Sequence, residues 1–169
     1  MNLLLLIATV ASSLDLRVEI VGDRILRVLL VPRGPVPVVT TTRTFLGCHL
    51  EIDVQDSQGV LIGHLGPRAS CAVPQLSDFR ALMPGDSHGP AGTEVFGAQF
   101  DLLAPERVRL GPNEAALQPG QEYQFVVSYH NDDAKILGTK QKRILRERYG
   151  DFWSSTIQVR SAPITFKCP

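Results

Sequence analysis

Hydrophobic residues recur at every second position in several short segments of the chain. The first segment covers 14–20, and a Gly22-Asp23 pair separates it from a second apolar segment at 25–31. A period of two is typical of a strand that buries one face, because successive side chains of a strand point to opposite sides. Since Gly and Asp favour tight turns, the two segments predict an opening β-hairpin.

Further segments of the same kind follow, and turn-forming Gly, Pro and Asp residues separate them. These segments cover 45–54, 60–65, 79–83, 95–103, 123–129 and 156–166. About eight short strands with this spacing are typical of two antiparallel sheets that pack face to face through Greek-key connections. The sequence therefore predicts an all-β sandwich in a single domain that covers 14–169.

The segment 117–125, with the sequence LQPGQEYQF, begins with a sharp turn and ends in a strand. Pro119 and Gly120 form the turn, and Tyr123 comes at the start of the strand. This segment resembles the corner before the penultimate strand of fibronectin type III and related immunoglobulin-like domains. The resemblance implies an immunoglobulin-like sandwich in which the buried phenol of Tyr123 ties the corner together. It implies no functional site, because this fold supports many unrelated activities.

Composition and charge fit one ordinary globular domain. Hydrophobic residues make up 44% of the chain, and the 17 Lys and Arg residues balance the 17 Asp and Glu residues. With a net charge near zero, no overall electrostatic attraction to nucleic acid or to an anionic membrane is expected. We therefore predict no nucleic-acid partner.

The N-terminal segment 1–13 resembles a secretory signal peptide. An apolar stretch at 3–10 ends in the small residues Ala11, Ser12 and Ser13, although no Lys or Arg precedes it. The stretch is too short for an ordinary membrane-spanning helix, so no stable membrane span is predicted. These features predict a secreted or periplasmic protein; the alternative is a first β-strand of a cytosolic protein.

Three cysteines leave the disulfide pattern open. Cys71 with Cys168 would fix the C-terminal tail, whereas Cys48 with Cys71 would close a short loop. Cys48 as a buried, inert thiol is a third alternative. No Cys-x-x-Cys motif supports redox catalysis.

The segment 139–150 concentrates positive charge in the loop before the last strand, and its single acid is Glu147. Its candidate binding residues are Lys140, Lys142, Arg143, Arg146 and Arg148. Thr139 is expected to cap a short helix that Gly150 ends. In one interpretation these bases bind an acidic protein or an acidic polysaccharide; in the other they form a solvated face. Trp153, just beyond, is expected either to stack on a ligand such as a sugar or to fill the end of the core.

Motifs for catalysis and for metal binding are absent from the sequence. The histidines at 49, 64, 88 and 130 are isolated, and no nucleophile elbow or phosphate-binding loop occurs. His49, Glu51 and Asp53 alternate along a predicted strand and are expected to face outward. At this spacing two of them, but not easily all three, could share a metal; a polar exposed sheet face explains the same pattern. We therefore predict no catalytic residue, no metal site and no cofactor.

Together these features predict a non-catalytic binding or interaction module. An accessory or inhibitory domain that acts on a hydrolase or protease is the alternative, and an enzyme is the third.

Overall fold

A computed structural model describes residues 14–33, 38–41, 49–65, 73–82, 97–103, 108–109, 117–150 and 156–169. Within these ranges, the chain forms eleven strands and one α-helix. The strands are β1 (Leu14–Val21), β2 (Ile25–Pro32), β3 (Val38–Thr41), β4 (Leu50–Asp56), β5 (Leu61–Leu65), β6 (Phe79–Leu82), β7 (Gly97–Asp101), β8 (Val108–Arg109), β9 (Glu122–Asn131), β10 (Ile157–Arg160) and β11 (Ile164–Lys167). The helix is α1 (Thr139–Tyr149).

The first sheet has the strand order β1-β2-β7 and begins with the predicted hairpin. Strand β1 pairs with β2 in an antiparallel register that runs from Leu14 opposite Pro32 to Val21 opposite Ile25. Gly22 lies in the connecting turn with a φ of +65°. Strand β7 then pairs with the other edge of β2.

The second sheet is built around β9 and has the order β10-β9-β4-β5-β8. Strand β11 also pairs with β9, on the same edge as β10: β10 pairs with residues 128–131 of β9, and β11 pairs with residues 122–125. The sequence predicted one strand at 156–166, whereas the structure divides it at 161–163. At this interruption the Ser161 hydroxyl accepts the Val127 N–H at 3.0 Å, and the Ser161 N–H donates to the Val127 carbonyl at 2.8 Å.

The hydrophobic core lies between the two sheets. Strands β1 and β2 contribute Leu14, Leu26 and Leu30, and β9 contributes the fully buried Phe125 and Tyr129 opposite them. Because each sheet presents one apolar face, packing the two faces together removes both from water. The prediction of an all-β, sandwich-like fold is therefore confirmed. The predicted number of about eight strands is not.

The turn before β9 is held as the sequence predicted. The Tyr123 hydroxyl accepts the backbone N–H of Gln118 at 2.9 Å, and only 6% of the Tyr123 surface is exposed. Gly120 has a φ of +78°, which a residue with a Cβ rarely adopts. The Gly120 N–H donates to the carbonyl of Cys168 at 2.9 Å, so the C-terminal residues also support the corner.

Strands β3 and β6 pair with each other in a separate two-stranded ribbon that belongs to neither of the two sheets. The sequence predicted β6 but treated the residues before β3 as a proline-rich connection and missed β3. A second, smaller core joins this ribbon to the region of α1, and it contains Val39, Phe79, Ala134, Leu137 and Leu145. In the part of the chain that the structure describes, no helix is both long enough and apolar enough to cross a membrane.

Candidate functional site

Helix α1 carries the basic residues that the sequence singled out. The prediction of a helix here is confirmed, but its predicted cap is wrong. Gly138, not Thr139, is the N-cap residue, and its N–H donates to the Gln141 Oε1 at 3.0 Å. The chain at Gly138 is extended (φ −71°, ψ 162°), so Thr139 is already the first helical residue.

The end of α1 follows the sequence pattern. Gly150 has a φ of +62° and a ψ of −141°, a conformation that favours glycine although it is not the left-handed helical one, and its N–H donates to the Arg146 carbonyl. Arg146 and Arg148 lie in the last turn, where the partial negative charge of the helix C-terminus stabilises cations. Part of the positive charge of α1 thus also stabilises the helix.

An apolar contact fixes α1 to the rest of the molecule. Leu145 is fully buried in the smaller core against the β3–β6 ribbon. Tyr149 packs beside that core, and its hydroxyl donates to the Phe79 carbonyl at 3.0 Å. Ile144 is half-buried. Leu145 and Tyr149 therefore attach α1 to the ribbon through direct contacts.

A buried group of polar side chains, here called the polar cluster, fixes the segment just before α1. Its members are Thr40, Thr41, His49, Tyr129, Asn131 and Asp133. Asn131 joins both sides of the cluster, because its Nδ2 donates to Thr41 Oγ1 at 2.7 Å while its Oδ1 accepts the Asp133 N–H at 3.1 Å. The cluster therefore connects β3, β9 and the short 3-10 helix Asp133–Ile136 that leads into α1.

Asp133 is the acidic member of the polar cluster. Its Oδ2 accepts the Thr41 hydroxyl at 2.8 Å and lies 3.0 Å from the Nε2 of His49. Among the residues that the structure describes, none forms a hydrogen bond with the buried Nδ1 of His49. Although Asp133 precedes the basic segment by only a few residues in the sequence, it is buried and bonded inside the cluster. Its carboxylate therefore does not lie among the exposed bases.

Tyr129 and Thr40 complete the polar cluster. The Tyr129 hydroxyl lies 2.8 Å from Thr40 Oγ1 and 3.0 Å from Asn131 Nδ2. Burial raises the pKa of Tyr129 to about 12, an effect that the hydrogen bonds to Thr40 and Asn131 partly oppose. The phenol is therefore neutral at physiological pH and acts as a hydrogen-bonding group of the core.

The basic side chains of α1 extend from those sides of the helix that do not pack on the core. Lys140, Arg143, Arg146 and Arg148 are exposed, and Lys142 is half-buried. At about 100° per residue, the five bases are spread over about 240° of the helix circumference, and the remaining sector holds Leu145 and Tyr149. The bases therefore surround the exposed part of the helix rather than form a single row.

Within the described ranges, little of this positive charge is neutralised by nearby carboxylates. Arg143 Nε lies 3.8 Å from Glu147 Oε1, and both side chains are about 70% exposed, so this pair is weak. Lys142 Nζ donates to the carbonyl of Lys135 at 3.2 Å, which fixes its ammonium near the start of the helix. The guanidinium of Arg148 lies 5.9 Å from the ring centroid of Tyr149. An exposed guanidinium group can donate two parallel hydrogen bonds to two oxygens of one carboxylate, sulfate or phosphate group.

Several predicted features lie outside the described residues. They are Trp153, the flanking acid Asp151, the cysteines Cys48 and Cys71, the histidine at 88 and the segment 1–13. Cys168 is described; it is a free thiol in the main core, and burial raises its pKa. Cys168 therefore forms no disulfide in this structure.

The predicted outward row of His49, Glu51 and Asp53 is wrong at His49. Strand β4 begins at Leu50, so His49 lies in a turn and its ring enters the polar cluster. Asp53 does lie on the outer face of the sheet, where it bonds to Arg160 at 2.9 Å and contacts His64 Nδ1 at 3.0 Å. Among the described residues, no group of three or more His, Cys, Asp or Glu side chains is arranged to hold a metal ion.

The polar cluster was not predicted, although one signal for it is present in the sequence. Tyr129 and Asn131 occupy inward-facing positions in the alternating pattern of β9. Because buried polar groups are almost always hydrogen-bonded, an Asn at such a position indicates a buried polar partner. Its partners Thr40 and Thr41 lie on a strand that the sequence did not reveal.

No protein-family model matches the chain, and neither a curated protein nor a solved structure matches it.

Proposed function

We propose that this protein is a secreted or periplasmic, non-catalytic binding module that engages an acidic partner through α1. The observation that carries this proposal is the combination of charge and attachment in one helix. Five basic residues share the segment 139–150 with one acid, in a chain whose total charge is balanced. The proposed partner is an acidic protein surface or an acidic polysaccharide.

The attachment of α1 supports this function because it reduces the entropy that binding must overcome. Leu145 holds the helix from its middle, Tyr149 holds its end, and the polar cluster holds the segment that precedes it. A binding surface whose backbone is already ordered loses less conformational freedom when a partner binds. The mobile parts are then the long basic side chains themselves.

The finer description of the fold belongs to the same proposal. We propose that the sandwich is immunoglobulin-like, and the corner bond from the Gln118 N–H to the Tyr123 hydroxyl supports it. In such sandwiches, segments between strands at the ends of the sheets often carry recognition. Helix α1 is such a segment, since it connects β9 to β10.

Two double variants with the same change in charge test the proposed function. Arg143→Glu with Arg146→Glu reverses two cations of α1, and Arg33→Glu with Lys167→Glu reverses two exposed cations elsewhere. Lys142 is left unchanged because its ammonium bonds to the backbone. Calorimetric titration with a sulfated heparin oligosaccharide, and separately with polyglutamate, measures the affinity of each variant for each polyanion.

We expect the α1 variant to bind at least about tenfold more weakly, because each reversal replaces an attraction with a repulsion worth roughly 0.5–1 kcal/mol. The control variant should bind within about threefold of the wild type. The α1 variant should keep the wild-type melting temperature, and the control should lose at most about 1 kcal/mol of stability, because it breaks the exposed Arg33–Asp15 pair. The two probes distinguish a polysaccharide from an acidic polypeptide as the preferred partner. Equal losses in the two variants, or no binding of either probe by the wild type, would refute the proposal.

A further inference from the structure

Ile136, which precedes α1 by three residues, is an aliphatic side chain that the fold leaves in water. It is 61% exposed, although it lies in the 3-10 helix Asp133–Ile136 and is flanked in sequence by the buried Ala134 and Leu137. Because Ala134 and Leu137 are three positions apart, they lie on one side of this turn, and both belong to the smaller core. Ile136 therefore projects away from that core on a backbone that the core holds in place.

Hydrogen bonds also fix the turn that carries Ile136. The Lys135 N–H donates to the Asp132 carbonyl at 2.8 Å, and the buried Asp133 carboxylate accepts the Thr41 hydroxyl at 2.8 Å. Because rotating Ile136 inward would break these bonds, its side chain stays exposed until another molecule covers it.

Cations border Ile136. Lys142 Nζ donates at 3.2 Å to the carbonyl of Lys135, which belongs to the peptide unit that joins Lys135 to Ile136. An ammonium has three N–H donors, so this bond leaves Lys142 able to bind a carboxylate as well. Lys135 itself is exposed, and its pair with Asp132 at 3.7 Å is weak. Arg146 is exposed and follows Lys142 by four residues, which makes the two side chains neighbours along α1. Lys135, Ile136, Lys142 and Arg146 thus form one surface, here called the Ile136 surface.

The chemistry of the Ile136 surface favours a polypeptide over an acidic polysaccharide. Both kinds of partner supply anions, but a sulfated or carboxylated sugar offers mainly hydroxyl and charged groups to an aliphatic side chain. An acidic polypeptide can place an apolar side chain on Ile136 and carboxylates on the neighbouring cations. Apolar contact with charges around it is the usual arrangement in protein interfaces. Burial of the aliphatic surface then adds binding energy that charge pairing alone does not supply.

An anionic membrane suits this surface less well. A helix that binds at a membrane surface inserts a whole apolar face among the lipids. The apolar face of α1 is already occupied, because Leu145 is fully buried in the smaller core and Tyr149 packs against that core. Ile136 alone offers too little apolar surface for insertion.

We propose that the acidic partner of α1 is an extended polypeptide segment in which one apolar and two acidic residues occupy alternate positions. The apolar side chain packs on Ile136, and the two carboxylates bind Lys142 and Arg146. Alternate side chains of an extended segment lie about 6.6 Å apart on one side. This distance is close to the spacing of about 5–6 Å between helix residues that are four positions apart. The inference rests on the proposed function, since it names the partner that the same helix binds.

Two peptides and two matched variants test this inference. One peptide contains the sequence Leu-Ser-Glu-Ser-Glu, and the other has Ser in place of Leu, so that both carry the same charge. Ile136→Ser removes the exposed aliphatic group, and Leu61→Ser is the control, because Leu61 is 53% exposed on β5. Both variants should keep the wild-type melting temperature, since neither side chain is buried. NMR titration of the isotope-labelled protein measures dissociation constants in the millimolar range that is expected for short peptides.

We expect the wild type to bind the Leu peptide at least about fivefold more tightly than the Ser peptide. Ile136→Ser should lose this preference, and Leu61→Ser should keep it. Equal binding of both peptides by the wild type, a preference that Ile136→Ser retains, or an equal loss in both variants would overturn the inference and leave polyanion binding by the bases intact.

Two further probes distinguish the other kinds of partner. Binding of the sulfated heparin oligosaccharide, or of phosphatidylserine vesicles, without binding of either peptide would indicate a polysaccharide or a membrane and would also overturn the inference. Failure of the proposed function is seen separately, in the titrations of the two double variants with polyanions.

Discussion

Replacement of Leu145 by Ala tests how firmly α1 is attached to the molecule. Leu145 is fully buried, and it contacts the small core formed with Val39 and Phe79. The substitution removes three carbon atoms, each worth about 0.8 kcal/mol of transfer free energy, or about 2.4 kcal/mol in total. The cavity that remains adds to this loss, and Leu→Ala replacements in protein cores cost about 2–5 kcal/mol.

Because this core is small and lies beside a surface helix, it can partly collapse into the space. We therefore expect a decrease of about 2–3 kcal/mol in the free energy of unfolding. For a protein of this size, the melting temperature should fall by about 4–12 °C. Urea unfolding at constant slope, supported by a thermal melt, measures the change.

Ile144→Ala is the matched control, because Ile144 lies on the same helix but is only half-buried. It should lower the free energy of unfolding by less than about 1 kcal/mol. If Leu145→Ala costs no more than Ile144→Ala, the helix is not held by its apolar contact and the reasoning about an ordered binding surface is refuted.

Two further predictions concern Tyr129 and Gly150. The raised pKa of Tyr129, about 12, means that its neutral phenol stabilises the fold fully below about pH 10 and progressively less as the pH rises to about 12. The free energy of unfolding, measured with urea, should therefore fall by about 2–3 kcal/mol in the wild type as the pH rises from about 10 to about 12, but not in Tyr129→Phe. Parallel curves of unfolding free energy against pH for the two proteins would contradict this. Gly150→Ala should destabilise by about 1 kcal/mol because of the positive φ, whereas Gly138→Ala, at an extended residue, should cost less; equal melting temperatures would show that the helix end carries no strain.

Local patterns in the sequence were sufficient to predict the elements whose determinants lie close together along the chain. The β1–β2 hairpin needs a period of two on either side of one turn, and both were visible. The helix α1 has its apolar face and its terminal Gly150 within a dozen residues. The Tyr123 corner is equally local, because the hydroxyl bonds to a backbone group five residues earlier.

Elements that depend on distant partners could not be predicted in this way. Strand β3 has only four residues, follows a proline-rich segment and is completed by pairing with β6. The polar cluster joins Thr40 to Tyr129, which are 89 positions apart. His49 was assigned to the wrong face because the predicted strand 45–54 included it, whereas β4 begins at Leu50 and a turn does not preserve the period of a strand.

Mapping of polyanion binding by NMR tests the central claim, that a firmly held basic helix is the binding surface, most directly. Amide chemical shifts of the isotope-labelled protein are followed while the sulfated heparin oligosaccharide is added. The account predicts that the largest shift changes fall on 139–150, with unchanged amides in β4 and β9, because the helix binds without rearranging the sandwich. Shift changes centred on another surface, or loss of the α1 signals through unfolding of the helix, would contradict it.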